Sequence, residues 1–188
     1  MKKTFFSLLL LISTICNSQE PEPGKVIPEY GKTYTIESPE FITDTSSVLK
    51  VVFDVDRSFD ATKPNALIET AARFLNMHEK AGVDPENMHL ALVFHGSATK
   101  DVFDDASYSE AYPDTEENPN TQLFTALANA GTELIVCGQS AAHHNVDPEN
   151  VHKDIKYALS AMTALVQLQA DGYHLISCFS TVDIDLEY

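Results

Sequence analysis

The stretch Val48-Leu49-Lys50-Val51-Val52-Phe53-Asp54-Val55 decides the fold of this chain of 188 residues. It is an almost unbroken run of apolar and β-branched residues, a pattern typical of strands that are covered on both faces. Strands of this kind occur mainly where helices pack on each side of a parallel sheet. The stretch therefore predicts a central strand of an α/β protein.

Outward from this strand, apolar runs alternate with segments of helical period. Further strands are predicted at residues 88–94, 133–137 and 173–178, and an edge strand at 182–186. Helices are predicted at residues 64–82, 118–131 and 147–170, each opened by proline and ended by a glycine within or just after it. A long acidic connection, 96–117, interrupts the alternation. We expect a three-layer α/β/α sandwich with a mainly parallel, flavodoxin-like sheet of about five strands.

The N-terminus has the pattern of an export signal. Lys2 and Lys3 precede a short apolar run, and small or polar residues follow it up to Ser18. The run is too short to span a bilayer, so we predict a cleaved signal peptide over 1–18 and a periplasmic or otherwise exported protein. Lipidation of Cys16 is the less expected alternative, because Ile15 before it is not small.

Two further regions follow the signal segment. Residues 19–47 contain four prolines and no helical period, which predicts an extended arm with a possible edge strand at 33–37. Residues 48–188 form the predicted α/β domain. The formal net charge is −16, and removal of the two lysines would take it to about −18. Such a charge disfavours nucleic acid and anionic lipid as partners, because both bind through cationic contacts.

Cofactor and metal motifs are weak in this sequence. After the first strand, residues 56–60 (Asp-Arg-Ser-Phe-Asp) lack the glycine-rich or hydroxyl-rich loop that holds flavin or dinucleotide phosphates. Asp54 and Asp56 resemble half of a magnesium site, but a cysteine ends the third strand where a further aspartate is needed. His143-His144 lacks the i, i+4 or paired-cysteine spacing of zinc ligands. We therefore expect neither a cofactor nor a metal.

Polar groups follow the predicted strands at the point where each one ends. In a parallel sheet all these ends lie at one edge, and ligands bind in the crevice there. That edge is predicted to receive Asp54 and Asp56, His95 and Gly96, Cys137, and Cys178. The candidate site is therefore this edge.

Cys137 is the most informative of these residues. A thiol becomes reactive where backbone N–H groups or a cation favour its thiolate. Gly138 allows a close backbone approach, Gln139 and Ser140 can donate hydrogen bonds, and either Lys100 or His95 can add positive charge. Two structural alternatives stay open: a half-buried inert cysteine, or a disulfide to Cys178 if their strands are neighbours.

From the first strand to the fourth, the chain resembles the DsrE/DsrF-like family, and within it an exported branch. The resemblance rests on six strings in this order and spacing: Ala72-Arg73-Phe74-Leu75-Asn76, Gly82-Val83, Val93-Phe94-His95-Gly96-Ser97-Ala98-Thr99-Lys100, Asn118-Pro119-Asn120, Val136-Cys137-Gly138-Gln139-Ser140 and Ala158-Leu159-Ser160-Ala161-Met162-Thr163-Ala164-Leu165.

The resemblance implies a homotrimer or hexamer that carries sulfur as a persulfide on a cysteine matching Cys137, between a protein donor and a protein acceptor. With it, we expect Cys137 and His95 to be the catalytic residues and Gly96, Lys100 and residues 138–140 to contact the substrate. The alternative is a non-catalytic module that binds a small ligand or assembles with partners. The apolar stretch 158–168 is predicted to be buried by the arm or another helix, or to form a subunit interface.

Overall fold

The fold, as a computed structural model describes it for residues 19–177, is built on one parallel sheet of five strands. The strands are β1 (Leu49–Val55), β2 (Met88–Phe94), β3 (Glu133–Cys137), β4 (Ile155–Ala158) and β5 (His174–Ile176). They lie in the order β4-β3-β2-β1-β5, and every neighbouring pair is parallel. The predicted fold class is confirmed.

Five α-helices connect or flank the strands. They are α1 (Ala66–Lys80), α2 (Asp105–Ala111), α3 (Thr121–Asn129), α4 (Gly138–His144) and α5 (Ala161–Ala170). Three 3₁₀ helices, Pro85–Asn87, Gly96–Val102 and Pro148–Asn150, complete the regular structure of the described residues. Over the part of the chain that the structure describes, no helix has the length and apolar character needed to cross a bilayer.

Alternation along the strands divides the core into two layers. Residues 51, 53 and 55 of β1 and 90, 92 and 94 of β2 face the larger cluster, which includes residues of α1 and α3. The residues between them, such as Val52, Ala91 and Val93, face α5 together with Cys137. Cys137 therefore points to the α5 side of the sheet. The buried cluster on this side is the smaller of the two, and the candidate site lies on this side.

The predicted helix over 147–170 is wrong. Pro148 opens only one 3₁₀ turn, after which Val151 bridges Phe103 and the backbone N–H of His152 donates to Val102. Residues 155–158 then pair with β3 as the edge strand β4, and Ser160 caps the shorter helix α5. Pairing with β3 overrides the helical pattern of the sequence because it satisfies backbone groups along the open edge of that strand.

A sequence motif that occurs twice forms a 3₁₀ helix in both copies. Val-Asp-Pro-Glu-Asn-x-His spans residues 83–89 and 146–152, and from the sequence we expect the first copy to lead into a strand and the second into a helix. In each copy the proline begins a 3₁₀ helix. The first copy enters β2 and the second leads to β4, so the expectation for the second copy is wrong.

The arm lies across α1 and is held by one buried side chain. The Asn76 amide accepts from the N–H of Ile27 at 2.9 Å and donates to the carbonyls of Ile27, Tyr30 and Gly31. The edge strand expected at 33–37 does not form, and a single antiparallel bridge joins Glu22 to Thr33.

Two other segments differ from the prediction in their secondary structure. The connection 96–117 contains a 3₁₀ helix and α2. The fourth predicted strand, 173–178, corresponds to β5 at 174–176, whereas Cys178 and the predicted strand 182–186 lie outside the described residues.

Candidate functional site

Three neighbouring strands bring polar side chains to one point on the α5 side of the sheet. Asp54 shares its face with Val52 on β1, and His95 comes directly after β2 on the face of Val93. Phe94 is paired with Val136, so one further residue along the register sets His95 opposite Cys137. Neighbouring strands are about 4.8 Å apart. The predicted convergence of these strand ends is therefore present for β1, β2 and β3.

Cys137 ends β3 and caps helix α4. Its Sγ accepts a hydrogen bond from the backbone N–H of Ser140 at 3.4 Å, and 5% of the residue is exposed. Burial alone raises the pKa of this thiol, but hydrogen bonds from Ser140 and from the backbone N–H groups of Ala161 and Gln139 outweigh burial. The net result is a lowered pKa, which favours the thiolate.

His95 is paired with a carboxylate. Its Nε2 donates to Asp54 Oδ1 at 2.7 Å, and each side chain is about one-third exposed. This hydrogen bond raises the pKa of His95 against the opposing effect of burial, and the charges of Asp54, Asp56 and Cys137 raise it further. The two shifts act in the directions that favour an imidazolium at His95 and a thiolate at Cys137.

The loops after β1 and β2 are in close contact. Gly96 has a φ of +57°, and a Cβ at this position would lie 2.4 Å from the carbonyl oxygen of Asp56. The N–H of Gly96 also donates to Ser140 Oγ at 3.4 Å, which ties the end of β2 to α4. Glycine is required here both by the backbone conformation and by the space available.

Gly138 and Gln139 form the side of the site that faces β4. A Cβ on Gly138 would lie 2.7 Å from the carbonyl oxygen of Ala158, and the Gln139 amide donates to the carbonyl of Leu159 at 3.4 Å. Residues 138–140, which the sequence predicts as a loop, are the first turn of α4. The N-terminus of α5 meets the same point through Ala161.

Of the predicted site residues, Lys100 stands apart. It lies within the 3₁₀ helix Gly96–Val102, and its ammonium forms no ion pair with any residue that the structure describes. His143 and His144 lie in α4 with their rings 4.9 Å apart. Within residues 19–177, no group of three or more His, Cys, Asp or Glu side chains could hold a metal.

A buried polar cluster lies behind the site. Asp101 is 3% exposed and accepts from Ser58 Oγ at 2.7 Å and Asn65 Nδ2 at 2.6 Å. Asn118 donates to the carbonyls of Asp101 and Phe103. Burial raises the pKa of Asp101 to about 6, although both side-chain hydrogen bonds oppose the shift.

Three features in and near the site are not predicted from the sequence. Asp54 is predicted at the edge of the sheet but not as the partner of His95, because the sequence does not show which side chain a histidine contacts. The role of the Ala161 N–H is not predicted, because residue 161 lies within the helix predicted over 147–170. Ser160 before an apolar run is a capping signal that could have indicated the start of α5. The Asp101 cluster joins three separate loops and leaves no local pattern.

The fold and this thiol site define a small α/β protein with a cysteine at the carboxyl edge of its sheet. A model of the DsrE/DsrF-like family matches residues 50–178, and the chain therefore belongs to that family.

Two solved structures are similar to this chain. They are a protein of unknown function, MTH1491, from Methanobacterium thermoautotrophicum (15% identity, TM-score 0.49) and the ychN protein from E. coli (12% identity, TM-score 0.50). Each alignment covers 69% of this chain and 98% of the other. None of the curated proteins compared with this chain matches it.

Proposed function

We propose that this protein is a sulfur carrier in which Cys137 accepts sulfur as a persulfide and passes it to a partner protein. Membership of the DsrE/DsrF-like family suggests a sulfur-relay type of function at the level of the family. The observation that carries the proposal for this chain is the hydrogen bond from the Ser140 N–H to Cys137 Sγ. That bond, with the N–H groups of Ala161 and Gln139, favours the anionic sulfur that such chemistry needs.

The transfer step uses the groups of the site without an external oxidant. The Cys137 thiolate attacks the outer sulfur of a donor persulfide, R–S–SH, so that a bond from Sγ to that sulfur forms and the donor S–S bond breaks. The electron pair leaves on R–S⁻, and the His95 imidazolium gives it a proton. The donor persulfide is reduced to R–SH, and the Cys137 thiol is oxidised to the persulfide.

Persulfide loading tests this proposal. The protein is incubated with glutathione persulfide, desalted and treated with cyanide, which removes bound sulfane sulfur as thiocyanate. We expect one thiocyanate per chain, and none from Cys137→Ser. Serine is a good capping residue, so this variant keeps the first turn of α4. Equal thiocyanate from Cys137→Ser and wild type would show that Cys137 is not the acceptor.

Export is part of the same proposal. Residues 1–18, which carry the signal pattern, lie outside the described residues, and the support is their sequence. We propose that the mature chain begins at Gln19 in the periplasm or another exported location. N-terminal sequencing of protein purified from the extracytoplasmic fraction tests the assignment, and a chain that retains Met1 there would contradict it.

We also propose self-association, in trimers or hexamers, through the exposed face of α5. Met162 and Val166 of α5 are 75% and 66% exposed, and Leu159, two residues before the helix, is 72% exposed. The stretch from 158 to 170 contains no charged residue. A contiguous apolar surface of this kind indicates an interaction site. In a chain with a net charge of −16, it is also a surface on which two copies can meet without facing like charges.

Substitution of Met162 by glutamate is expected to dissociate the oligomer, because each copy would bring a charge into an apolar contact. Light scattering coupled to gel filtration measures the mass. The control is Gln167→Glu, which adds the same charge at another exposed position of α5. A mass that is unchanged in Met162→Glu, or equally reduced in both variants, would exclude this face as the interface.

A non-catalytic module is the second candidate function, and the 5% exposure of Cys137 is the observation that favours it. Its disulfide form requires Cys137 to reach Cys178, which lies outside the described residues. The strands are not neighbours: β3 and β5 are separated by β2 and β1, a distance of about 14 Å at the usual strand spacing. Titration of thiols in the native protein tests the disulfide form, since a bridge would leave neither cysteine free.

A further inference from the structure

The charged and polar groups around His95 come from β1, from the loop after β1 and from β3. Asp54 on β1 accepts the Nε2–H bond, Asp56 follows β1, and Cys137 ends β3. The two carboxylates differ in what they contact. Both oxygens of Asp56 accept from the Arg57 guanidinium, at 2.9 and 3.1 Å, whereas Asp54 contacts the imidazole directly.

Asp54 and His95 lie where the register allows a direct contact. Asp54 is paired with Val93, two residues before His95 on the same face of β2, so the two side chains are diagonal neighbours. The N–H of His95 donates to the carbonyl of Val55 at 3.0 Å, which extends the β1–β2 ladder to His95. Both backbones are therefore fixed by the sheet, and the imidazole ring is fixed by the carboxylate.

We propose that Asp54 is a positioning residue, which orients His95 and holds it as the imidazolium facing Cys137. This role rests on the proposed function of Cys137, on which Asp54 would act through His95. The arrangement has the order carboxylate, imidazole, thiol across the adjacent strands β1, β2 and β3. A carboxylate that accepts the Nε2–H fixes the orientation of the ring and favours its charged form.

The sign of the effect follows from the charges. An imidazolium at the end of the neighbouring strand favours the thiolate of Cys137. Removal of the Asp54 charge lowers the pKa of His95, and the imidazole then loses its proton at a lower pH. The thiolate loses the nearby cation, and the apparent pKa of Cys137 rises. At mildly acidic pH, a smaller fraction of the protein is then reactive.

The rate of Cys137 alkylation by iodoacetamide, measured from pH 5 to pH 9, tests this role. Asp54→Asn is expected to slow alkylation about three- to tenfold near pH 6.5 and to move the profile to higher pH, since one pKa unit is tenfold in thiolate. Asp56→Asn is the matched control, because it removes the same charge two residues further along the chain without removing a hydrogen bond to His95, and its rate should stay within about twofold of wild type. Equal effects of the two substitutions would reduce Asp54 to a distant charge and overturn the proposal.

Two further variants identify the route of the effect. Asp54→Glu keeps the charge, and we expect it to restore part of the wild-type profile. In a His95→Gln background, Asp54→Asn should change the rate by less than about twofold, because the residue through which Asp54 acts is gone. An undiminished effect in that background would contradict the positioning role. This comparison between single and double variants stays valid if loss of Asp54 weakens folding.

Sulfur loading separates the two proposals. If Asp54→Asn moves the alkylation profile while wild-type protein takes up no sulfur, the positioning role stands and the carrier function is wrong. If wild-type protein takes up sulfur on Cys137 while Asp54→Asn has a wild-type profile, the carrier function stands and the positioning role is wrong.

Discussion

Alanine at position 96 is expected to reduce the free energy of unfolding by about 2–4 kcal/mol, the largest loss of stability that we predict for a single substitution. The φ of +57° disfavours any residue with a Cβ, and that Cβ would lie 2.4 Å from the carbonyl oxygen of Asp56. The overlapping atom belongs to the backbone, so relief requires the loops after β1 and β2 to move apart. Urea unfolding of the two proteins measures the difference.

Gly131→Ala is the matched control for this substitution. Gly131 also has a positive φ, of +82°, but nothing lies within 4 Å of its Cβ position. It should cost about 1 kcal/mol, which is the conformational strain alone. The excess cost at Gly96 then measures the contact between the two loops. Equal losses at positions 96 and 131 would show that the loops are not in contact.

The second large effect concerns pH and the buried Asp101. Its pKa of about 6 lies above the value of 3.8 that an exposed aspartate has. The folded protein therefore binds this proton more tightly than the unfolded chain, and the contribution of Asp101 to stability increases as pH falls from about 7 to about 4. Above pH 7 the carboxylate is ionised in both states, and its burial without a cation lowers stability.

Asp101→Asn should remove this dependence. Between pH 8 and pH 4.5, the stability of wild type relative to Asp101→Asn should rise by about 2 kcal/mol, as follows from the two pKa values. Denaturant unfolding at each pH gives this difference, in which the titration of other carboxylates cancels. Asp114→Asn, which removes an exposed carboxylate outside this cluster, serves as control. A flat difference for Asp101→Asn would mean that Asp101 is ionised throughout.

The hydrogen-bond pattern explains why Asp101 tolerates a proton. The Ser58 hydroxyl has one proton and lies within hydrogen-bonding distance of both Asp101 Oδ1 and the Ser97 carbonyl. When Asp101 is protonated, it can donate to Ser58 Oγ, and Ser58 can then donate to Ser97. Every polar group of the triad is satisfied in that state.

The sheet could be predicted where the pattern is local. The strands 48–55, 88–94 and 133–137 are almost continuous apolar runs, and the helix near Pro64 has a helical period; the burial of these elements in the structure explains both patterns. Strand β4 could not be predicted in this way. It has four residues, and its pairing with β3 decides its conformation although residues 158–168 continue with good helix formers.

For the candidate site as well, the sequence predicts some features and not others. Parallel strands end at one edge, so the convergence of Asp54, His95 and Cys137 follows from the topology alone. The contacts between these side chains do not follow from the topology. Whether Asp54 or Asp56 meets His95 depends on the β1–β2 register, and the Ala161 N–H reaches Cys137 only because α5 begins after β4.

The central claim, that Cys137 carries sulfur, is tested most directly by the mass of one peptide. Trypsin cleaves after Lys100 and Lys153, and the peptide 101–153 contains Cys137 as its only cysteine. After incubation with glutathione persulfide and desalting, this peptide should gain about 32 Da, the mass of one sulfur atom. No gain on this peptide, with sulfur absent from the protein or found on another residue, would contradict the proposed carrier function.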